Sequence, residues 1–387
     1  MAEALETEVM KLKSITTILI CAFLMIQSGC GLLDSTVGGV SNVFGLTDTA
    51  TVISKTAQIR TSYAVVAADL LEVKRGEKLD VIDTMDFEKV LWYRVRAHDE
   101  ENTEGWIEAQ HVITNEVLEK SKKLAESFAN LPPQAAGKLR AASNIRLSPD
   151  MNPENVFFKL ANGSTFEIMD WNFVPKQDVA DIDDAKRGES KQSKRSKNEE
   201  IEAARERGEP EKLDEKYDVW YLVRLDPSVS PAPAGWLFGR QVELAVPNEI
   251  VFFQHNNRKF VTWQRLDSDI ASKAVTNTST PGSWVILSRT NISKPIDGIE
   301  PDFDGILVLA FDKYDQSYYT VWRSTGDVWG TLPLKVDGSG DSNAFTVQLR
   351  HPEGHMEEKR FVVFRDKSRM KVTPPEDIAQ YQETRRR

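Results

Sequence analysis

Two histidines four positions apart, in the run His351-Pro352-Glu353-Gly354-His355 with Glu357 and Glu358 behind them, form the one histidine pair of the chain. On a helix that spacing would turn both imidazoles toward one ion. Pro352 and Gly354 argue instead for a hairpin loop between Leu349 and Phe361. The run also lacks the His-Glu-x-x-His order and an obvious third ligand, so no metal is assigned to it. Asp337-Gly338-Ser339-Gly340-Asp341-Ser342 is neither a Gly-x-Ser-x-Gly nucleophile turn nor a calcium loop closed by Glu, and reads as a plain turn. A phosphate loop ending in Lys-Ser/Thr and a dinucleotide fingerprint are both missing from the sequence. The only cysteines, Cys21 and Cys30, rule out a multi-cysteine zinc site and a disulfide framework. Paired-carboxylate glycoside chemistry stays open, because sequence does not measure the separation of roughly 5 to 9.5 Å that it needs. No catalytic residue and no cofactor is assigned.

The side chains best suited to binding are aromatic. Trp92, Trp106, Trp220 and Trp236 are expected in the core. Tyr63, Tyr93 and Tyr221 carry a hydroxyl that tolerates a wet edge and are the candidate ligand-binding residues. With 387 residues, 40% hydrophobic and 28% charged, the chain has apolar content for two or three domains. Its net charge of -10, from 49 basic and 59 acidic residues, opposes binding along a phosphate backbone, so no nucleic-acid partner is expected.

Lys11 and Lys13 precede an apolar run from Ile15 to Ile26, too short to span a bilayer comfortably. Ser28-Gly29-Cys30 comes next. The combination resembles a bacterial lipoprotein signal, which implies that Cys30 is diacylated and becomes the mature N-terminus, anchoring the chain to a membrane. Glu3, Glu6 and Glu8 are out of place in a basic leader and point to Met10 as the initiator. Residues 31–54 would then form a tether, and Gly31 after the cysteine favours the periplasmic side of an outer membrane.

An internal repeat organises the chain beyond the tether. Trp92-Tyr93-Arg94-Val95-Arg96 matches Trp220-Tyr221-Leu222-Val223-Arg224, and Gly105-Trp106-Ile107 matches Gly235-Trp236-Leu237. Upstream, Ala57-Gln58-Ile59-Arg60 matches Ser143-Asn144-Ile145-Arg146, and the segment from Gly76 to Ile82 matches that from Gly163 to Met169. Each copy alternates apolar and polar residues between turn signals, the pattern of short strands with one buried face. A glycine before each second tryptophan is expected at a tight hairpin. The ordered set resembles bacterial SH3 domains, which implies two small β-barrels, at 55–114 and 135–246. That resemblance also implies a peptide groove and a peptidoglycan or envelope-protein partner.

From Lys176 to Asp218, 25 of 43 residues are charged, 11 basic and 14 acidic, an excursion inserted between two strands and helical around Asn198 to Arg207. Residues 115–134 read as a connector helix, with Val117, Leu118, Leu124, Ala125 and Phe128 at helical spacing. Residues 247–373 alternate β-like runs, from Val251-Phe252-Phe253 to Phe361–Phe364, with turn clusters, and read as an antiparallel sandwich or barrel before a tail at 374–387. The fold class is all-β. The expected function is non-catalytic binding in the cell envelope. Two alternatives stay open: a hydrolase with its site in the C-terminal β domain, and a scaffold that recruits a protein through the charged excursion.

Overall fold

The computed structural model describes residues 48–176, 207–254, 258–266, 281–339, 342–367 and 369–382. The leader, with Met10, Cys21 and Cys30, lies outside the described residues, as do 31–47 of the tether and 177–206 of the charged excursion. The described chain is all-β and antiparallel throughout, and divides into two compact units, one ending at Asn115 and one starting at Glu116.

The first unit has seven strands: β1 (Asp48–Val52), β2 (Thr56–Arg60), β3 (Asp69–Lys74), β4 (Lys78–Phe87), β5 (Val90–Ala97), β6 (Glu104–Glu108) and β7 (Val112–Thr114), ordered β3-β2-β6-β5-β4-β1-β7. One apolar cluster draws on every strand, including Val52, Ile59, Val73, Leu79, Val95, Ile107 and Val112. Seven strands laid flat would stretch roughly 29 Å from edge to edge. Among the described residues this unit has no second layer, so the sheet buries its own face by curling on itself. β1 corrects the expected start at 55. Asp48–Val52 is not tether but a strand between β4 and β7, with Ala50 and Val52 facing the core.

The second unit repeats this architecture. After helix α1 (Asn115–Ser127) come β8 (Ala135–Leu139), β9 (Ser143–Arg146), β10 (Val156–Leu160), β11 (Thr165–Pro175), β12 (Tyr217–Arg224), β13 (Ala234–Phe238) and β14 (Val242–Leu244). Their order, β10-β9-β13-β12-β11-β8-β14, is strand for strand that of the first sheet. A 3-10 turn precedes the last strand in both, Ala109–His111 and Gly239–Gln241.

Two expectations about repeated residues change here. Gly105 and Gly235 lie inside β6 and β13 rather than at a hairpin start. A Cβ on Gly105 would come within 2.6 Å of the Arg60 carbonyl oxygen and Ile59, and one on Gly235 within 2.6 Å of Ile145, so glycine is required where two strands cross closely. The expectation of buried tryptophans holds for two of the four. Trp92 and Trp220 are buried and Trp106 and Trp236 half-buried, all on the outer face. The strand positions that face the apolar cluster hold Tyr93, Val95 and Ile107.

The copies differ at the face where Trp106 and Trp236 sit. In the second copy Met169, Leu222 and Ala234 form a cluster with Phe128, and Leu124, Ala125 and Trp236 pack against it, so α1 covers that face. Ser121, fully buried, donates to the Ala234 carbonyl at 2.6 Å and accepts from the Ala234 N–H at 3.1 Å. The matching residues of the first copy are Ile82, Arg94 and Glu104, and Glu104 pairs with Arg94 at 3.1 Å and Arg96 at 2.6 Å in solvent. Charge keeps the first face wet.

They differ again at one hairpin. β4 and β5 are joined by Glu88 and Lys89 with φ of +52° and +66°, the two-residue turn whose twist suits paired strands. At the same place in the second copy the charged excursion leaves β11 and returns through the short helix α2 (Leu213–Lys216) into β12.

The C-terminal region is a sandwich of two four-stranded meanders. One comprises β15 (Arg258–Arg265), β16 (Trp284–Thr290), β17 (Gly305–Asp312) and β18 (Ser317–Arg323); the other comprises β19 (Gly330–Ser339), β20 (Ser342–Arg350), β21 (Met356–Asp366) and β22 (Arg369–Thr373). Trp322 of the first sheet packs 5.2 Å from Phe361 of the second, which stacks on Phe345 at 4.6 Å. Val251–Phe253 is a 3-10 turn rather than a strand: the N–H groups of Ile250 and Val251 both donate to the Pro247 carbonyl, which buries Ile250 and leaves Phe252 79% exposed. Part of the expected tail is structured too, since Ile378–Tyr381 forms a 3-10 turn with Tyr381 buried.

The second barrel joins the sandwich at Gln134, which is fully buried. Its N–H donates to the Ile168 carbonyl at 2.8 Å and its carbonyl accepts from the Thr262 hydroxyl. Its side-chain amide accepts from the Leu334 N–H at 2.8 Å and donates to the Leu334 carbonyl at 3.2 Å. Ile168, Thr262 and Leu334 all lie where strand register shifts, in β11, β15 and β19. Bulges leave backbone groups outside the ladder, and Gln134 takes up those of Ile168 and Leu334 together with the Thr262 hydroxyl. We expect Gln134→Ala to lower stability by about 1–3 kcal/mol, since the Leu334 N–H loses its acceptor in a buried place while the Leu334 carbonyl keeps Gln264. A urea midpoint unchanged from wild type, or undiminished exchange protection at the Leu334 amide, would refute this.

Candidate functional site

Arg60 closes β2 and organises the loop after it. Its Nη2 donates to the carbonyls of Val65 at 3.0 Å and Ala67 at 2.9 Å, and its Nε lies 3.5 Å from Asp69. The loop is tied further by Thr61 N–H to the Ala68 carbonyl at 2.9 Å and Ala67 N–H to the Ala64 carbonyl at 3.0 Å. So held, it presents Tyr63 against the outer face, 5.2 Å from Trp106 edge to face and 5.0 Å from Phe87. Val65 and Val66 stand out at 83% and 94% exposure on the same loop.

Beside this aromatic group an open cleft of about 360 Å³ is lined by Thr56, Gln58, Arg60, Asp69, Trp92, Glu108 and His111. Its polar groups are of both signs, Arg60 with Asp69 and Glu108, and the Trp92 indole, 5% exposed, is part of its lining. His111, from the 3-10 turn, shares a hydrogen bond of 2.8 Å with Ser54. Such a surface offers an indole, a guanidinium, two carboxylates and an imidazole to a ligand with both cationic and anionic groups.

Of the three candidate tyrosines, only Tyr63 lies on this face. Tyr93 packs against the first core and is opposite Ile107 in register, and burial raises its phenol above the usual range. Tyr221 is opposite fully buried Leu237 and 6.0 Å from Trp171; part of its surface stays accessible, yet desolvation pushes the phenol up to about 12. The two repeated tyrosines therefore share a core-facing position and not a groove with Tyr63. No local motif singles out Arg60, Glu108 or His111 as site residues, and Trp92 reads from sequence as core. A signal existed for the first: Arg146, its counterpart in the repeat, also reaches back to its own adjoining loop, donating to the Asn152 carbonyl at 2.6 Å.

A second concentration of titratable groups lies at the joint of the second barrel and the sandwich. Arg289, 5% exposed, donates to Glu300 at 2.7 Å and lies 4.4 Å from the Phe173 ring centroid. Asp304 is bound by Arg258, Lys294 and Thr290, and Asp327 by Arg258 and Lys294. Asp302 accepts from Trp171 Nε1 at 2.9 Å and from the Leu332 N–H at 2.8 Å. Desolvation, aided by Asp170, raises its carboxyl to about 7. Perturbed carboxylates mark active sites, but ion-pair networks also produce them. Here protein donors occupy both oxygens of Asp302, and the groups link β11 to the sandwich, so the network is a joint.

The joint has a pH signature. A carboxyl whose folded value is raised holds its proton more tightly in the native state, so its contribution is full below about pH 4 and is lost as pH climbs through 7. Stability should fall by about 2–4 kcal/mol over that window, and Asp302→Asn should flatten the slope in urea titrations. Equal slopes in the two proteins would refute it. At the cleft, Arg60→Ala should cost about 1 kcal/mol and speed amide exchange at Ala67 and Ala68; unaltered exchange there would mean the loop holds without its clasp. Compared with family models and with curated proteins, the chain matches none, and the functional reading therefore rests on the first barrel's cleft and aromatic group.

Proposed function

We propose that the chain is a non-catalytic binding protein of the cell envelope, anchored through Cys30 on the periplasmic side of an outer membrane, that recognises wall peptides through its first SH3-like barrel. The observation that carries this reading is the mixed-charge cleft lined in part by Trp92, beside the clasped Tyr63, Trp106 and Phe87 group. Peptides of the bacterial wall bear free amines and carboxylates on a short scaffold, which suits Arg60 with Asp69 and Glu108. Support for the anchor comes from the leader residues alone, Lys11 through Cys30.

Co-sedimentation of residues 31–387 with purified peptidoglycan sacculi, at low and moderate salt, tests the reading; pelleting that survives salt points to more than screened surface charge. Tyr63→Ala should weaken binding about fivefold through the lost aromatic contacts, while Tyr93→Phe, altered on the core face, should leave it unchanged. Protein that stays in the supernatant at both salts would defeat wall binding. For the anchor, Cys30→Ala should move the full-length protein from the membrane to the soluble fraction.

A further inference from the structure

The hairpin between β20 and β21 brings three donors of one five-residue run together in space. One ligand atom from each of His351, Glu353 and His355 lies within 4.8 Å of the others. His351 Nδ1 and the Glu353 carboxylate are 3.9 Å apart. The two imidazoles stack with centroids 4.7 Å apart and planes 26° from parallel. The turn is closed by the His351 N–H to the His355 carbonyl and the Gly354 N–H to the His351 carbonyl, each 2.8 Å, with Gly354 at φ +103°. Glu353 is the third ligand that no sequence motif reveals, because it lies on the tip of this turn between the two histidines.

The surroundings favour a cation. His355 Nε2 lies 2.5 Å from Glu357, which also accepts from the Tyr381 hydroxyl and pairs with Lys359 at 2.6 Å. With His355 Nε2 turned to this carboxylate, the other ring nitrogen remains to face an ion, the arrangement by which outer carboxylates orient metal-bound histidines. Tyr381, buried, packs 5.4 Å from His351 and closes the back of the turn. Two imidazoles and a carboxylate suit zinc among divalent ions, with a fourth position open to solvent. Bonds of about 2.0–2.1 Å require the three donors to draw together by roughly 1 Å, a movement within reach of a turn tip.

We propose that the β20–β21 hairpin binds one zinc ion through His351, Glu353 and His355, with Glu357 as a positioning residue. Isothermal titration of the full-length protein with zinc chloride at neutral pH tests this. One equivalent should bind, and His351→Ala, His355→Ala and Glu353→Ala should each lower affinity at least tenfold. Glu357→Gln should weaken binding about 10- to 100-fold without removing a ligand. His98→Ala and His111→Ala, which alter histidines paired elsewhere with Asp80 and Ser54, should bind as wild type does. The absence of saturable zinc binding, or binding that survives the His351→Ala, His355→Ala double variant with unchanged affinity, would overturn the proposal. A circular dichroism spectrum of each variant matching wild type excludes unfolding as the cause of a loss.

Discussion

Three strand irregularities meet at one buried amide, and the second unit depends on that meeting. A bulge frees backbone N–H and C=O groups from the ladder, and in the interior such groups must find partners. Gln134 supplies them for Leu334 with its side chain, while its own backbone engages Ile168 and Thr262. Gln264 adds a bond to the Leu334 carbonyl at 3.1 Å. The register of the second barrel is thereby locked to the register of both sandwich sheets. Sliding any one strand by a residue would strand the others' polar groups.

Around this joint the protein uses buried charge. The Arg289–Glu300 pair is nearly free of solvent, and Arg289 Nε and Nη1 have no hydrogen-bond acceptor among the described residues. Stacking on Phe173 compensates part of that desolvation, since a guanidinium is attracted to a ring face. Pairs of this kind add little net stability over apolar packing but are costly to break singly. They therefore select one docking of the β11–β12 hairpin.

The two copies of the barrel show how a few substitutions assign different tasks to one topology. Leu222 and Ala234 make the second copy's outer face apolar, and α1 covers it; Arg94 and Glu104 at the same positions keep the first copy's face in water. The long hairpin of the second copy is committed to the sandwich through Trp171 and Phe173, whereas that of the first closes in a two-residue turn and brings Phe87 to Tyr63. The second barrel is thus joined to the sandwich through Gln134 and the β11–β12 hairpin.

The sequence by itself determined the all-β class, the repeat, the helix at Asn115–Ser127 and the hairpin at His351–His355, because each is written locally: alternation sets strands, periodicity sets the helix, and proline with glycine sets the turn. It also held the missed β1, since the second copy's first strand starts as far ahead of Ser143 as Asp48 does ahead of Thr56. What the tertiary structure alone decided is which face each residue serves. Tyr93 and Trp92 are neighbours in sequence, yet one joins the core and the other the lining of the cleft, and only the curl of the sheet says which side is inside. Glu353 and Gln134 likewise acquired their partners from chain folding. Metal donors and bulge groups are matched through space, a relation that no local pattern encodes.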